Sequence, residues 1–198
     1  MKNILRAWFI AGTVMLISCE KDESNFLADD YFPNRTGFSW TYYRYDSIAA
    51  QQDTLVVSIT GSTSHTNGER LKIWQFTGKN VDEKQYISRV GDTVKFYLST
   101  DGRISQILLI PFHEYDKWTN PHEKLDTTYV RSLVDVEINN TVYKDSYELN
   151  RHVSKPGSSL KETLMYKPRL GLVMLSRLHQ LNEPAKNEIW LLISHRFN

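Results

Sequence analysis

Two His-Glu pairs come nearest to a metal-binding or catalytic set in this sequence. His113-Glu114 and His122-Glu123 lie in one polar segment, residues 111–127. Imidazole and carboxylate groups can bind a divalent metal together, but a zinc-binding helix spaces its two histidines four residues apart. Because the spacing here fits no such motif, we predict a solvated segment with no metal site and no cofactor.

Other sets of catalytic residues are not marked either. The chain has no Gly-x-Ser-x-Gly motif and no phosphate-binding glycine loop. Two carboxylates that cleave a glycoside need not be close in sequence, so a hydrolase with a dispersed carboxylate pair stays open as an alternative. No pair stands out, and we predict a protein without catalytic activity.

Three aromatic residues, Phe112, Tyr115 and Trp118, lie in the same polar segment. Aromatic residues in strands usually fill a core, but a segment of this length is too long for a hairpin turn. Loops that long are often functional. We therefore predict a candidate binding loop at these three residues, for a protein or a glycan partner.

Four short segments match the Asp-Ser/Thr-apolar sequon of exported Bacteroidetes O-glycoproteins. The candidate acceptor hydroxyls belong to Ser47, Thr54, Thr93 and Thr127. Asp-Thr before an apolar residue is also a natural junction between a turn and a strand. Glycosylation and a purely structural origin therefore stay open as alternatives.

Cys19 is the single cysteine of the chain and follows a signal-like segment. Lys2 and Arg6 precede an uncharged apolar run from Ala7 to Ser18, which is too short for a comfortable membrane span. Leu16-Ile17-Ser18-Cys19 resembles the motif that lipoprotein signal peptidase cuts. We predict a signal peptide at residues 1–18 and acyl chains such as palmitate on Cys19, which would anchor the protein to a membrane.

The residues after Cys19 predict a flexible tether. Residues 19–30 contain few apolar groups and begin with the charged run Glu20 to Glu23. Such a segment reaches on the order of 20 Å. A charged run after the acylated cysteine resembles the export signal of surface-exposed Bacteroidetes lipoproteins. We expect an outer-membrane location, with exposure at the cell surface and a simple spacer as the two interpretations of the run.

Composition indicates one folded domain and argues against nucleic acid as a partner. The chain has 198 residues with 24 basic and 23 acidic side chains, for a net charge of +1. Binding of phosphate backbones requires a clear basic excess. Aromatic residues make up 12% of the chain, which is typical of a sheet-rich, folded protein.

Period-two alternation of apolar and polar residues predicts an all-β fold for residues 31–198. Val94, Phe96 and Leu98 alternate with polar neighbours, and Asp101-Gly102 marks a tight hairpin. Short turns without crossover helices require antiparallel pairing, and about ten strands should curl into a barrel-like sheet or a sandwich. The predicted strands cover residues 38–48, 53–61, 69–77, 84–90, 93–99, 104–110, 128–138, 141–153, 160–167, 171–178 and 188–196.

Three segments resemble a broad group of uncharacterised Bacteroidetes outer-membrane lipoproteins. They are Tyr31-Phe32-Pro33 with the Gly37–Tyr42 segment, the Thr141–Tyr147 strand, and the Tyr166–Val173 segment. Arg169 stands where that group has glycine, which predicts a different turn there. The resemblance implies an antiparallel β fold at the outer membrane and implies no activity, so no catalytic residue is carried over.

These observations rank three functions. The first is a membrane-anchored, non-catalytic module that binds a protein or a glycan. The second is a carrier-like half-barrel with an apolar ligand, which would need an apolar cavity of several hundred Å³. The third is the hydrolase with dispersed carboxylates.

Overall fold

The alternating segments form strands throughout the part of the chain that the computed structural model describes, residues 32–47, 50–181 and 185–197. The predicted segments 1–18 and 19–30, with Cys19, lie outside the described residues. The strands are β1 (Ser39–Asp46), β2 (Gln51–Ser64), β3 (Arg70–Gly78), β4 (Val81–Val90), β5 (Thr93–Tyr97), β6 (Ile104–Leu109), β7 (Lys117–Asn120), β8 (Glu123–Ile138), β9 (Thr141–Lys155), β10 (Ser158–Lys167), β11 (Gly171–Leu181) and β12 (Lys186–Arg196).

The strands form one antiparallel sheet of twelve strands that nearly closes into a barrel. Its order is β6-β5-β4-β3-β2-β1-β12-β11-β10-β9-β8-β7. Strands that follow each other in the chain pair with each other, except β6 and β7, and β1 also pairs with β12. This confirms the prediction of a single, curled, antiparallel all-β domain.

Side chains join the two edge strands, β6 and β7. Trp118 Nε1 donates to the carbonyl oxygen of Ile107 at 3.0 Å, and Asn120 Nδ2 donates to that of Ser105 at 3.3 Å. Arg151 Nη2 also donates to Ser105 O, at 3.1 Å. These bonds satisfy carbonyls that an open edge would leave unpaired. We call this line of contacts the seam.

The segment 111–127 is not the long loop that the sequence predicts. It holds a cis Ile110-Pro111 peptide, a turn closed by the bond from Asp116 N to His113 O, the short strand β7, and the first residues of β8. The turn between β7 and β8 forms at Asn120-Pro121, where Asn120 Oδ1 accepts the His122 N–H. The sequence did not predict β7, and it predicted that β8 begins at residue 128, five residues after its observed start at Glu123. The reason is that this polar turn divides a segment with few apolar residues.

Aromatic side chains fill one half of the barrel interior. Trp74 stacks between Trp40 and Phe32, with ring centroids at 5.1 and 5.4 Å. Trp40 Nε1 donates to Leu170 O at 2.7 Å, and Tyr42 Oη donates to Leu172 O at 2.9 Å. The first and last segments of the family resemblance therefore contact each other in the core.

The β8–β9 hairpin folds back over the outer face of the sheet. Irregular pairing between Val130 and Leu133, and again before Val136, bends it. Met165, Met174 and Leu191 form a cross-strand row on the face opposite to the interior, yet Ile138 from the hairpin packs in one cluster with them. Strands β8 and β12 are accordingly in contact although three strands separate them in the sheet.

The turn before β11 has a left-handed backbone at Arg169, where the lipoprotein group that the sequence resembles has glycine. Arg169 has φ +68°, followed by Gly171 at +90°. A left-handed conformation strains a residue with a Cβ atom, which glycine avoids. The arginine therefore adopts the backbone that a glycine would accept without strain.

Candidate functional site

Charged side chains cross the other half of the barrel interior in a row that alternates in sign. The row, which we call the charge ladder, has one member on each of six neighbouring strands, β8 to β12 and then β1: Asp126, Arg151, Glu162, Arg177, Glu188 and Arg44. Residues two apart in a strand share a face, so alternate residues of these strands face the barrel interior. Each member of the ladder occupies one of these inward positions. Glu162 lies directly opposite both Arg151 and Arg177 in the strand register.

Arg151 is the most completely bound member of the ladder. Its Nε and Nη2 each donate to the Asp126 carboxylate at 2.8 Å, and its Nη1 donates to Glu162 Oε2 at 2.8 Å. The remaining donors bind Gln106 Oε1 at 3.2 Å and Ser105 O at 3.1 Å, both on β6. All five N–H groups of this guanidinium therefore have a partner.

The ladder continues from Glu162 to β1. Arg177 Nε donates to Glu162 Oε1 at 2.6 Å, and Arg177 Nη1 donates to Glu188 Oε2 at 3.3 Å. Glu188 Oε1 accepts bonds from Arg44 Nε at 2.7 Å and from Trp190 Nε1 at 3.0 Å. The guanidinium of Arg177 also lies over the Trp190 ring, 5.7 Å from its centroid.

These contacts hold the ladder in its charged form. Burial opposes ionisation of Glu162, but Arg177 and Arg151 outweigh it and lower the pKa of that carboxyl. The pKa of Glu188 is lowered in the same way, by Trp190, Arg177 and Arg44 against burial. The pKa of Arg151 is raised despite its burial, by Asp126 and Glu162. Both glutamates are therefore ionised at neutral pH.

A second carboxylate network lies near the β2–β3 turn. Glu69 accepts bonds from Ser88 Oγ at 2.6 Å, Tyr97 Oη at 2.8 Å and Lys95 Nζ at 3.0 Å. Burial raises the pKa of Glu69, but these bonds and the Lys95 charge lower it to about 2. The network ties the turn to β4 and β5.

In three of the four Asp-Ser/Thr segments the aspartate contacts an arginine of the charge ladder. Asp126 binds Arg151, while Asp46 Oδ2 and Asp53 Oδ2 lie 3.5 and 3.7 Å from the guanidinium of Arg44. Asp53 and Asp126 lie within strands, where an inward aspartate is followed by an outward hydroxyl and then by another inward residue, whereas Asp46 is the last residue of β1. Only Asp92 fits the predicted turn junction, since Gly91-Asp92 connects β4 and β5.

The four candidate acceptor hydroxyls differ in accessibility. Thr54 is exposed on β2, whereas Thr93 and Thr127 are half-buried. Thr127 Oγ1 lies 3.4 Å from Thr119 Oγ1. Ser47 Oγ accepts the Asn187 N–H at 2.8 Å. Thr54 is therefore the most accessible of the four.

Two of the three candidate binding-loop residues are part of the core. Phe112 is 1% exposed and packs on Tyr147 and Tyr166, and Trp118 is 7% exposed and seals the seam. Tyr115 is 82% exposed with φ +71°, and its N–H donates to Val130 O at 3.0 Å. The structure thus separates Tyr115 from the other two.

The two His-Glu pairs do not converge on one point. His113 Nδ1 lies 3.1 Å from Asp116 Oδ2, and Glu114 Oε1 accepts the Leu133 N–H at 3.0 Å. His122 is exposed beside the β7–β8 turn. Within the described ranges, no group of three or more His, Cys, Asp or Glu side chains is placed to hold a metal ion.

Two small cavities among the described residues of the barrel interior share Phe76, Gln85, Arg177 and Trp190. The apolar one has a volume of about 90 Å³ and lies among the stacked tryptophans. The polar one has about 230 Å³ and lies beside the charge ladder, next to His179 and Lys186. Burial and the neighbouring Arg177 lower the pKa of His179. Neither cavity is large and apolar.

A larger concavity lies outside the barrel, on the outer face of strands β7 to β11. This outer groove has a volume of about 700 Å³ and is open to solvent. Two cross-strand rows of side chains line it. One row consists of Lys117, Tyr129, Asn150, Thr163 and Ser176, and the other consists of Thr127, His152, Lys161 and Leu178.

Sequence analysis missed both the charge ladder and the outer groove. A signal for the ladder exists at Arg151, which lies between Leu149 and Val153 at the inward period of β9. Glu162 likewise lies between Leu160 and Leu164 on β10. The groove has no comparable signal, because it depends on which outward residues become neighbours across five strands.

In the described part of the chain, no helix is long and apolar enough to cross a membrane.

Comparison with known proteins gives likeness at the level of fold. No protein-family model matches the chain, and no curated protein matches it. A solved structure from Bacteroides fragilis, provisionally described as an exported protein with a YmcC-like fold, is 12% identical with a TM-score of 0.49, covering 85% of this chain and 99% of its own. One from Parabacteroides distasonis, provisionally described as a lipoprotein, is 9% identical with a TM-score of 0.42, covering 83% and 97%.

Proposed function

We propose that this protein is a lipid-anchored outer-membrane module that binds a partner on its outer surface and catalyses no reaction. The observation that carries the proposal is the filled interior of the barrel. Stacked aromatics occupy one half, and paired charges occupy the other. A binding role therefore falls to the outer face, which the tether would present away from the membrane.

The interior volumes argue against the carrier alternative. A ligand pocket typically has about 300–1,000 Å³ and an apolar lining. The apolar cavity here has about 90 Å³, and the next one, of about 230 Å³, lies against charged side chains. An acyl chain or a comparable apolar ligand would need the tryptophan stack to rearrange.

The electrostatics of the interior argue against the hydrolase alternative. A glycoside hydrolase needs one carboxyl whose raised pKa keeps it protonated as the general acid. Glu162 and Glu188 both contact Arg177 from neighbouring elements of the ladder, but arginines lower the pKa of each. Neither carboxyl would hold a proton at neutral pH.

The membrane anchor rests on the sequence around Cys19. An acylated Cys19 would leave residues 20–30 as a spacer of on the order of 20 Å between the membrane and the barrel. Two or more acyl chains hold a protein stably on a membrane, whereas one chain gives marginal binding.

Expression of the full chain and of Cys19→Ala in a Bacteroidetes host tests the proposal. Ser24→Ala in the predicted tether is the matched control. We expect the wild type and the control to enter the detergent phase, to carry acyl mass on the peptide that begins at Cys19, and to be removed by protease from intact cells. Cys19→Ala should stay in the aqueous phase. An unacylated Cys19 in the wild type would refute the anchor, and acylated protein that resists the protease would place the module on the periplasmic side.

We also propose O-glycosylation at the Asp-Ser/Thr segments, with Thr54 as the first candidate because its side chain is exposed. Peptide masses of protein from the native host should show an added glycan at Thr54, and Thr54→Ala should remove it. Unmodified masses at Ser47, Thr54, Thr93 and Thr127 would refute this proposal.

A further inference from the structure

We propose that the outer groove binds an acidic carbohydrate chain. This inference rests on the proposed binding function and names its ligand class. The groove is the largest of the three concavities described above, at about 700 Å³, and it spans strands β7 to β11. Neighbouring strands lie about 4.8 Å apart, so five strands give a surface about 19 Å wide. That width suits several linked sugar units.

The floor of the groove offers hydrogen bonds in closely spaced rows. Thr163 Oγ1 donates to Asn150 Oδ1 at 3.0 Å, and Ser176 lies directly opposite Thr163 on the next strand. Hydroxyl and amide groups both donate and accept, as sugar hydroxyls do. Leu178 is the aliphatic member of the lining, so the groove lacks the apolar centre that a protein interface usually buries.

One tyrosine supplies a flat aromatic surface at the β7 and β8 side. Tyr129 lines the groove, is 43% exposed and lies opposite Lys117. The C–H face of a sugar ring can stack on such a ring.

The charge of the groove selects acidic ligands. Lys117 and Lys161 are exposed on β7 and β10, and these strands lie three strand spacings or about 14 Å apart. Lys161 lies two residues along β10 from Thr163, which belongs to the row of Lys117, and His152 on β9 lies opposite Lys161. The carboxylate of Glu162, which also borders the groove, is bound inward by Arg151 and Arg177. Glu148, beside the groove, accepts a bond from Asn150 Nδ2 at 2.8 Å and lies 3.5 Å from Arg131.

Repeated cations at that spacing fit a chain with repeated acidic groups better than a single small anion. A chain of nearly balanced net charge can still hold an anionic polymer at this groove, because exposed charges farther away than a Debye length of about 8–10 Å are largely screened.

Calorimetric titration of the full-length acylated protein in detergent tests the inference. The probes are polygalacturonate, the neutral polysaccharide dextran, and poly-L-glutamate, which carries carboxylates without sugar rings. We expect polygalacturonate to bind more tightly than the other two. Lys117→Ala/Lys161→Ala should weaken its binding about ten-fold. The control Lys84→Ala/Lys144→Ala removes two exposed lysines elsewhere and should change binding less than about two-fold.

Tyr129→Ala separates stacking from charge attraction. It should weaken polygalacturonate about five-fold and leave poly-L-glutamate unchanged. Absence of polygalacturonate binding, an equal loss in both lysine pairs, or equally tight binding of poly-L-glutamate would each overturn the inference. Because the anchor is measured by acylation and detergent partition, a negative result here with an intact anchor refutes the ligand class and leaves the proposed membrane module standing.

Discussion

Arg151→Met is expected to cost about 3–5 kcal/mol of unfolding free energy, because it leaves buried carboxylates without their partner. The substitution keeps the approximate length of the side chain and removes all five of its hydrogen bonds, including the paired bonds to Asp126 at 2.8 Å. Glu162 keeps Arg177, and Asp126 keeps only the bond from Asn120 Nδ2 at 3.1 Å. The loss is large against the 5–15 kcal/mol that stabilises a typical domain.

Arg131→Met is the matched control on the neighbouring strand. Arg131 also faces a glutamate, Glu148 at 3.5 Å, but its side chain is 65% exposed where that of Arg151 is 10% exposed. Exposed ion pairs contribute about 0–1 kcal/mol. The same chemical change should therefore cost several times less when it is made at the surface.

Urea unfolding of both variants in a Cys19→Ala background, followed by tryptophan fluorescence at pH 7, measures the difference. With a urea dependence of about 2 kcal/mol per molar, Arg151→Met should lower the midpoint by roughly 1.5–2.5 M and Arg131→Met by less than about 0.5 M. If Arg151→Met does not fold, Asp126→Asn supplies the second measurement, with a smaller loss. Equal midpoint shifts for the two arginine variants would refute the argument that the buried ladder differs from a surface pair.

Three further predictions concern acid, strain and the seam. The folded pKa of Glu69, about 2, lies below its unfolded value, so the stabilisation from this carboxylate is present above about pH 4.5 and is lost as pH falls toward 2. Glu69→Gln should therefore make the urea midpoint depend less on pH in that window, and an unchanged pH dependence would contradict this. Arg169→Gly should raise the unfolding free energy by up to about 1 kcal/mol by relieving the left-handed strain, whereas Arg169→Ala should not, and equal effects in thermal unfolding would exclude strain as the cause. Trp118→Phe keeps an aromatic ring but leaves Ile107 O without its donor, so the unfolding free energy should fall by about 1–3 kcal/mol. Backbone hydrogen exchange should become faster in β6 than in β3, and unchanged exchange in β6 would refute the role of the seam.

The fold could be predicted because its signal is local. Val94 and Phe96, like Leu149 and Val153, repeat with the period of a strand, and tight turns such as Asp101-Gly102 separate the repeats. Every predicted strand corresponds to an observed one. Strand β7 was not predicted because one of its two inward residues, Asn120, is polar. Apolar and polar residues therefore do not alternate along this strand.

The interior site could be predicted less well, because the same pattern has two meanings. A charged residue in an alternating segment is normally assigned to the solvent face. Arg151 and Glu162 instead occupy inward positions, and each is stable there only because a neighbouring strand supplies the opposite charge. The sequence of one strand contains half of that arrangement. The partner becomes visible only when the register between strands is known.

The seam is also the one line of the described barrel wall that has no backbone ladder. Neighbouring strands elsewhere in the order β6 to β7 are joined by backbone ladders. The two edges meet through bonds from Trp118, Asn120 and Arg151 to the carbonyl groups of Ile107 and Ser105 and to the side chain of Gln106, all on β6. Parting the edges would break these few side-chain bonds and no ladder, and it would expose one end of the charge ladder directly. The barrel wall is therefore held by side-chain hydrogen bonds along this line, and the two edges can separate there with all eleven strand pairings intact.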